Sequence, residues 1–117
     1  MQESIVVAVI YLLGKDQELP NLSRDLHRQF YIAADEGRIP LEVSTRNRDC
    51  PKVYEVISNL KRIDLLYTDG HPGHLHISEE LAGQIGEQHF SSLPVRYQQA
   101  ALDIARQIRE ANQAKPN

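Results

Sequence analysis

The longest apolar run in the chain is Ile5 to Leu13, IVVAVIYLL, which has no polar position on any side. Periodicity alone cannot separate a buried helix from a buried strand in such a run. Its isoleucine and valine content favours a strand, whereas its nine-residue length and the following Gly14 favour a helix, and a helix is the expectation adopted. The next periodic segment, residues 22–36, places Leu22, Leu26, Phe30 and Ala33 at helical spacing. Asn21 stands where an N-cap belongs, and Gly37 can take the left-handed conformation that closes a helix. Residues 39–43, IPLEV, could form a small strand, held to a sheet edge because Pro40 donates no ladder hydrogen bond.

After a polar loop at 44–50, Pro51 suits the first turn of a helix, with Asp49 or Cys50 as its cap. Val53, Val56, Ile57, Leu60 and Ile63 then recur at helical spacing, and Lys52, Glu55, Asn59 and Arg62 fall opposite them. This is the cleanest amphipathic helix in the chain. Two short extended runs, Leu65–Thr68 and His74–Ser78, flank a turn-forming Asp69-Gly70-His71-Pro72-Gly73, which is the pattern of a hairpin. Ser78 can cap a short helix whose first turn holds Glu79 and Glu80, although Gly83 and Gly86 weaken it. A final helix is expected from about Pro94 to Ala111, with Tyr97, Ala101, Ile104 and Ile108 on one stripe and a fraying tail.

A chain of 117 residues has the size of one domain, and 41% hydrophobic with 25% charged residues is a globular composition. The nine-residue apolar run falls far short of the roughly 20 that cross a bilayer. Gln2, Glu3 and Ser4 before it supply no basic lead for a signal peptide. A single cysteine, Cys50, leaves no intrachain disulfide and fits a reducing compartment, so a cytoplasmic location is expected. The net charge of −3 argues at first against nucleic acid, but the charge is unevenly distributed. Residues 1–43 carry −3, residues 44–62 carry +3 and residues 63–117 carry −3. The one basic block contains the amphipathic helix, and local charge steers an encounter more directly than a total does.

This order of an apolar helix, two amphipathic helices and a hairpin over residues 5–78 resembles the winged helix-turn-helix superfamily. The resemblance implies a mainly α fold with a small β-hairpin, used as a DNA-binding transcriptional regulator. In that family the third helix enters the major groove and the wing touches the flanking backbone or minor groove. By position, residues 51–62 would be the recognition helix and 69–73 the wing tip. Thirteen residues separate Gly37 from Pro51, where a helix-turn-helix commonly has three or four. Either IPLEV adds an extended segment there, or residues 22–36 are not the positioning helix.

DNA binding needs cations for phosphates and side chains that read base edges. Arg46, Arg48, Lys52, Lys61 and Arg62 can serve the first need, Asn59 can pair with adenine, and His71 and His74 on the hairpin can reach the backbone. His71, His74 and His76 form H-x-x-H-x-H, which lacks the spacing of a defined zinc motif, so no metal or other cofactor is expected. Cys50 lacks the flanks of a catalytic cysteine, and phosphate-binding glycine loops and serine-nucleophile elbows are absent, so the chain does not read as an enzyme. The stripe at 97, 101, 104 and 108 alternates spacings like a short coiled-coil seam and suggests a homodimer that would match a palindromic site. The alternative is a winged domain used as a protein-interaction module without DNA, which the overall acidity and the long inter-helix loop favour.

Overall fold

A computed structural model describes residues 1–15, 24–68 and 75–113. It is mainly helical with a small two-stranded antiparallel sheet. The order is α1 (Gln2–Gly14), α2 (Arg24–Asp35), α3 (Pro51–Arg62), β1 (Leu66–Thr68), β2 (Leu75–Ile77), a π-helical stretch (Leu81–Ile85), α4 (Gly86–Ser91) and α5 (Val95–Gln113).

The all-apolar run is a helix, as its length suggested, and every residue from Ile5 to Leu13 is buried. A helix hydrophobic on all sides is stable only when enclosed. α3, α4, α5, β2 and the π-helical stretch all pack on α1. Five of its nine core positions are β-branched, which costs helix propensity, but each buried aliphatic side chain contributes about 1.5–3 kcal/mol and overrides that cost. A helix also satisfies its own backbone groups, whereas a buried strand here would need partners along both edges. At its far end Arg109 of α5 donates a hydrogen bond to the Leu12 carbonyl, one of the acceptors that the helix itself leaves open.

Leu26, Phe30 and Ala33 turn α2 toward the core, where it packs on α5. Its C-terminus is closed by Gly37 at φ +77°, with Arg38 N–H bonding the Ala33 carbonyl at 2.9 Å and Gly37 N–H the Ala34 carbonyl at 3.0 Å. The N-cap expected at Asn21 lies outside the described residues. Residues 39–43 form no strand; instead Ile39 and Leu41 tuck into the core, and the only extended pairing nearby among the described residues is a bridge from Ser44 to Asp49. Two isolated apolar anchors serve a loop better than a strand interrupted by proline.

α3 opens with Pro51 at its first turn and buries Val53, Val56, Ile57 and Leu60 against α1 and β1. Ile63, counted in the apolar stripe by spacing, is 62% exposed because the helix ends before it. Asp64 takes φ +62°, Leu65 N–H bonds the Leu60 carbonyl at 2.9 Å and Asp64 N–H the Lys61 carbonyl at 3.2 Å. An aspartate thus occupies the left-handed closing position usually given to glycine, which its short polar side chain tolerates. The chain turns directly into the hairpin, where Leu66 faces Ile77, Tyr67 faces His76 and Thr68 faces Leu75. Leu66 and Leu75 are buried in the core, while Tyr67 and His76 stack on each other at 5.5 Å.

Ser78 caps the next helical segment, its Oγ accepting the Leu81 N–H at 3.1 Å. The weakness expected from the glycines takes the form of a kink at Gly83 within the π-helical stretch. Gly86 lies so close to the Tyr11 ring and the Leu81 carbonyl that no Cβ fits, and this lets α4 lie against α1. Tyr11 Oη donates to Glu87 at 2.8 Å, and Ser4 Oγ meets His89 Nδ1 at 2.9 Å. In α5 the stripe of Ala101, Ile104 and Ile108 is buried within the chain's own core, with Tyr97 packed beside it. The seam suggested for a dimer is therefore occupied, and α5 turns Val95 and Leu102 outward instead.

Candidate functional site

The basic block resolves into a tight loop followed by α3. Residues 44–49 fold back on themselves: Ser44 N–H donates to the Asp49 carbonyl at 2.8 Å and Arg48 N–H to the Ser44 carbonyl at 2.7 Å. Ser44 Oγ accepts the Asn47 N–H at 3.3 Å. Arg48 adopts φ +55°, which carries the chain round into the α3 cap. This closure holds Arg46 and Arg48 in solvent at the N-terminal end of α3. At the other end Lys61 and Arg62 are also exposed, about 15 Å away at 1.5 Å rise per residue. Arg46, Arg48 and Lys61 have no ion-pair partner among the described residues.

Three of the α3 positions expected to meet DNA, Lys52, Asn59 and Arg62, are already engaged within the helix. Arg62 donates to Asn59 Oδ1, and Lys52 pairs with Glu55 at 3.5 Å. Lys52 and Asn59 are half-buried at the sides of the helix, whereas Tyr54, Ser58 and Lys61 form its outermost stripe. The loop cations and the α3 C-terminal cations thus bracket one exposed helical face. His71 and His74, the two hairpin histidines expected to reach the backbone, lie outside the described residues.

A second cluster, unannounced by any sequence spacing, joins α2 to α3. The His27 ring stacks on Tyr54 with centroids 3.9 Å apart and planes 15° from parallel. His27 Nδ1 is buried and has no hydrogen-bond partner among the described residues. Burial holds the His27 pKa below its ordinary value, with the Asp49 carboxylate opposing. The Tyr54 pKa is raised, by burial first and then by the charge of Asp49 and a hydrogen bond with it. Cys50 is fully buried, and burial together with Asp49 pushes its thiol up to about 11. A thiol so enclosed is protonated at neutral pH and acts as a small apolar packing group rather than a nucleophile. No signal for the His27–Tyr54 contact exists in sequence, because the two rings are separated by a long connection and meet only through the tertiary fold.

No helix among the described residues is long and apolar enough to cross a membrane. Among the same residues no three His, Cys, Asp or Glu side chains gather into a group that could hold a metal ion. Comparison of the chain with protein-family models, with curated proteins and with solved structures returns no match.

Proposed function

We propose that this chain is a DNA-binding protein of winged-helix type, acting as a transcriptional regulator, with α3 laid against duplex DNA. The observation that carries this reading is the set of exposed cations Arg46, Arg48 and Lys61, unpaired among the described residues, which bracket the solvent face of α3 within the only net-positive block of an acidic chain. Phosphates neutralised at both ends of a helix fix its register over the groove. Reading bases would then require Arg62 and Asn59 to exchange their mutual hydrogen bond for base edges. Such an exchange is inexpensive, because an exposed pair of this kind contributes little to folding. A homodimer on a two-fold site would use the outward Val95 and Leu102 strip of α5.

Fluorescence anisotropy with labelled genomic duplexes at low salt tests the proposal. Saturable binding in the micromolar range or tighter is expected, and a flat titration refutes it.

A second reading has its own observation. Tyr54 at 52%, Ile63 at 62% and Tyr67 at 47% exposure place large apolar groups along α3 and β1. Aromatic anchors are enriched at protein interfaces, so the same face fits a protein partner. Loss of a captured stoichiometric partner on Tyr54→Ala, with no DNA retained, distinguishes this reading from the first.

A further inference from the structure

A cleft of about 330 Å³ opens where the end of α2 meets the first turns of α5, lined by no residue of the α3 face proposed to meet DNA. Gly37 and Arg38 form one wall, and Arg96, Tyr97, Gln99, Ala100 and Asp103 the other. The wall at Arg38 is rigid, since the Gly37 turn and the buried Ile39 fix the backbone on both sides of it. Arg38 spends one Nη on exposed Glu36 at 3.2 Å, and its Nε is buried with no acceptor among the described residues. A guanidinium has five N–H donors, and this buried Nε–H is the one left without an acceptor among the described residues.

Across the cleft the Arg96 guanidinium lies over the Tyr97 ring at 4.6 Å and has no ion-pair partner among the described residues. Asp103, the one carboxylate in the lining, is already matched by Arg106 at 3.5 Å and by the Gln99 amide at 3.3 Å. The cleft therefore gathers the Arg38 guanidinium, with a buried Nε lacking an acceptor among the described residues, and the exposed Arg96 guanidinium beside half-buried Tyr97 and buried Ala100. We infer that it binds a small organic oxyanion, a carboxylate or phosphate ester with a short flat body. The two arginines take the oxygens, as their fork geometry suits. Tyr97 and Ala100 take the apolar part, and the volume falls within the range of small-molecule sites.

The test is a titration of ¹⁵N-labelled protein with phenyl phosphate, benzoate and inorganic phosphate at constant ionic strength. Saturable shifts confined to the amides of residues 37, 38 and 96–103 are expected with phenyl phosphate or benzoate, and whichever binds more tightly names the oxyanion. Arg38→Gln and Arg96→Gln should each weaken binding about tenfold or more while keeping a dispersed spectrum, and Lys61→Gln should leave it unchanged. Unsaturable shifts spread over the surface, equal binding of inorganic phosphate, or wild-type affinity in both arginine variants would overturn the inference.

Discussion

Gly86→Ala reports directly on how closely α4 is seated on α1. Gly86 itself has helical angles, φ −63° and ψ −43°, so the backbone raises no objection to alanine. Helix propensity alone would favour the substitution by about 1 kcal/mol. The opposing effect is steric, since the new methyl would overlap the Leu81 carbonyl oxygen and the Tyr11 ring. Neither can yield easily: one is backbone, and the ring is 7% exposed and held by its hydrogen bond to Glu87 at 2.8 Å. Overpacking of this kind costs roughly 1–3 kcal/mol, toward the upper end when the neighbours are fixed. The net expectation is a loss of about 1–2 kcal/mol once the propensity gain is subtracted. With an unfolding entropy near 2.1 cal/mol/K per residue, that corresponds to roughly 4–8 °C in Tm for a chain of this length. Urea unfolding followed by circular dichroism should show a lower midpoint with an unchanged slope. Combining Gly86→Ala with Tyr11→Ala should cost less than the two changes summed, because removing the ring removes part of the clash. A raised midpoint in Gly86→Ala would mean that propensity wins and that α4 does not approach α1 this closely.

Two further outcomes concern the α2–α3 cluster. Because the folded His27 pKa lies below the ordinary value of 6.5, the unfolded chain binds more protons in the window beneath 6.5. His27 therefore contributes stability that is complete above pH 6.5 and is lost as pH falls toward the folded value. Urea midpoints at about pH 7.5 and about pH 5.5 should converge in His27→Gln relative to wild type; an unchanged pH difference would remove His27 as the cause. Cys50, with its thiol pushed up to about 11 and fully enclosed, should react with a thiol reagent at about pH 8 only as fast as the protein opens, and immediately in denaturant. Prompt labelling of the folded protein would contradict the burial.

The elements legible in sequence were those set by local chemistry. Pro51 and the 53/56/57/60 spacing mark α3, Ser78 marks a cap, and a nine-residue apolar run ending at Gly14 marks an enclosed helix. What escaped is set by contacts between distant segments or by local exceptions. Arg109 reaches the Leu12 carbonyl across 97 positions, and His27 finds Tyr54 only because α2 and α3 are brought together by the core. Asp64 closes α3 in a conformation that glycine would have advertised. The α5 stripe read as a possible dimer seam packs on the chain's own core instead, since a 3–4 spacing marks an apolar stripe but not what covers it.

The basic block was equally visible, yet its internal pairing was not. Lys52 and Glu55 lie three residues apart, as do Asn59 and Arg62, so helical geometry brings each pair together. Among the described residues the free cations of this block are consequently fewer than its charge count suggests, and they sit at the two ends of α3 rather than along it.

The salt dependence of DNA binding tests the central proposal most directly. Each phosphate contact contributes a slope of about −0.9 to log K against log salt on duplex DNA. If Arg46 and Arg48 hold phosphates, Arg46→Ala with Arg48→Ala should lower affinity on every duplex alike and flatten the slope by about 1.8 relative to wild type. Identical affinity and slope in the double variant, or no wild-type binding at low salt, would contradict the account.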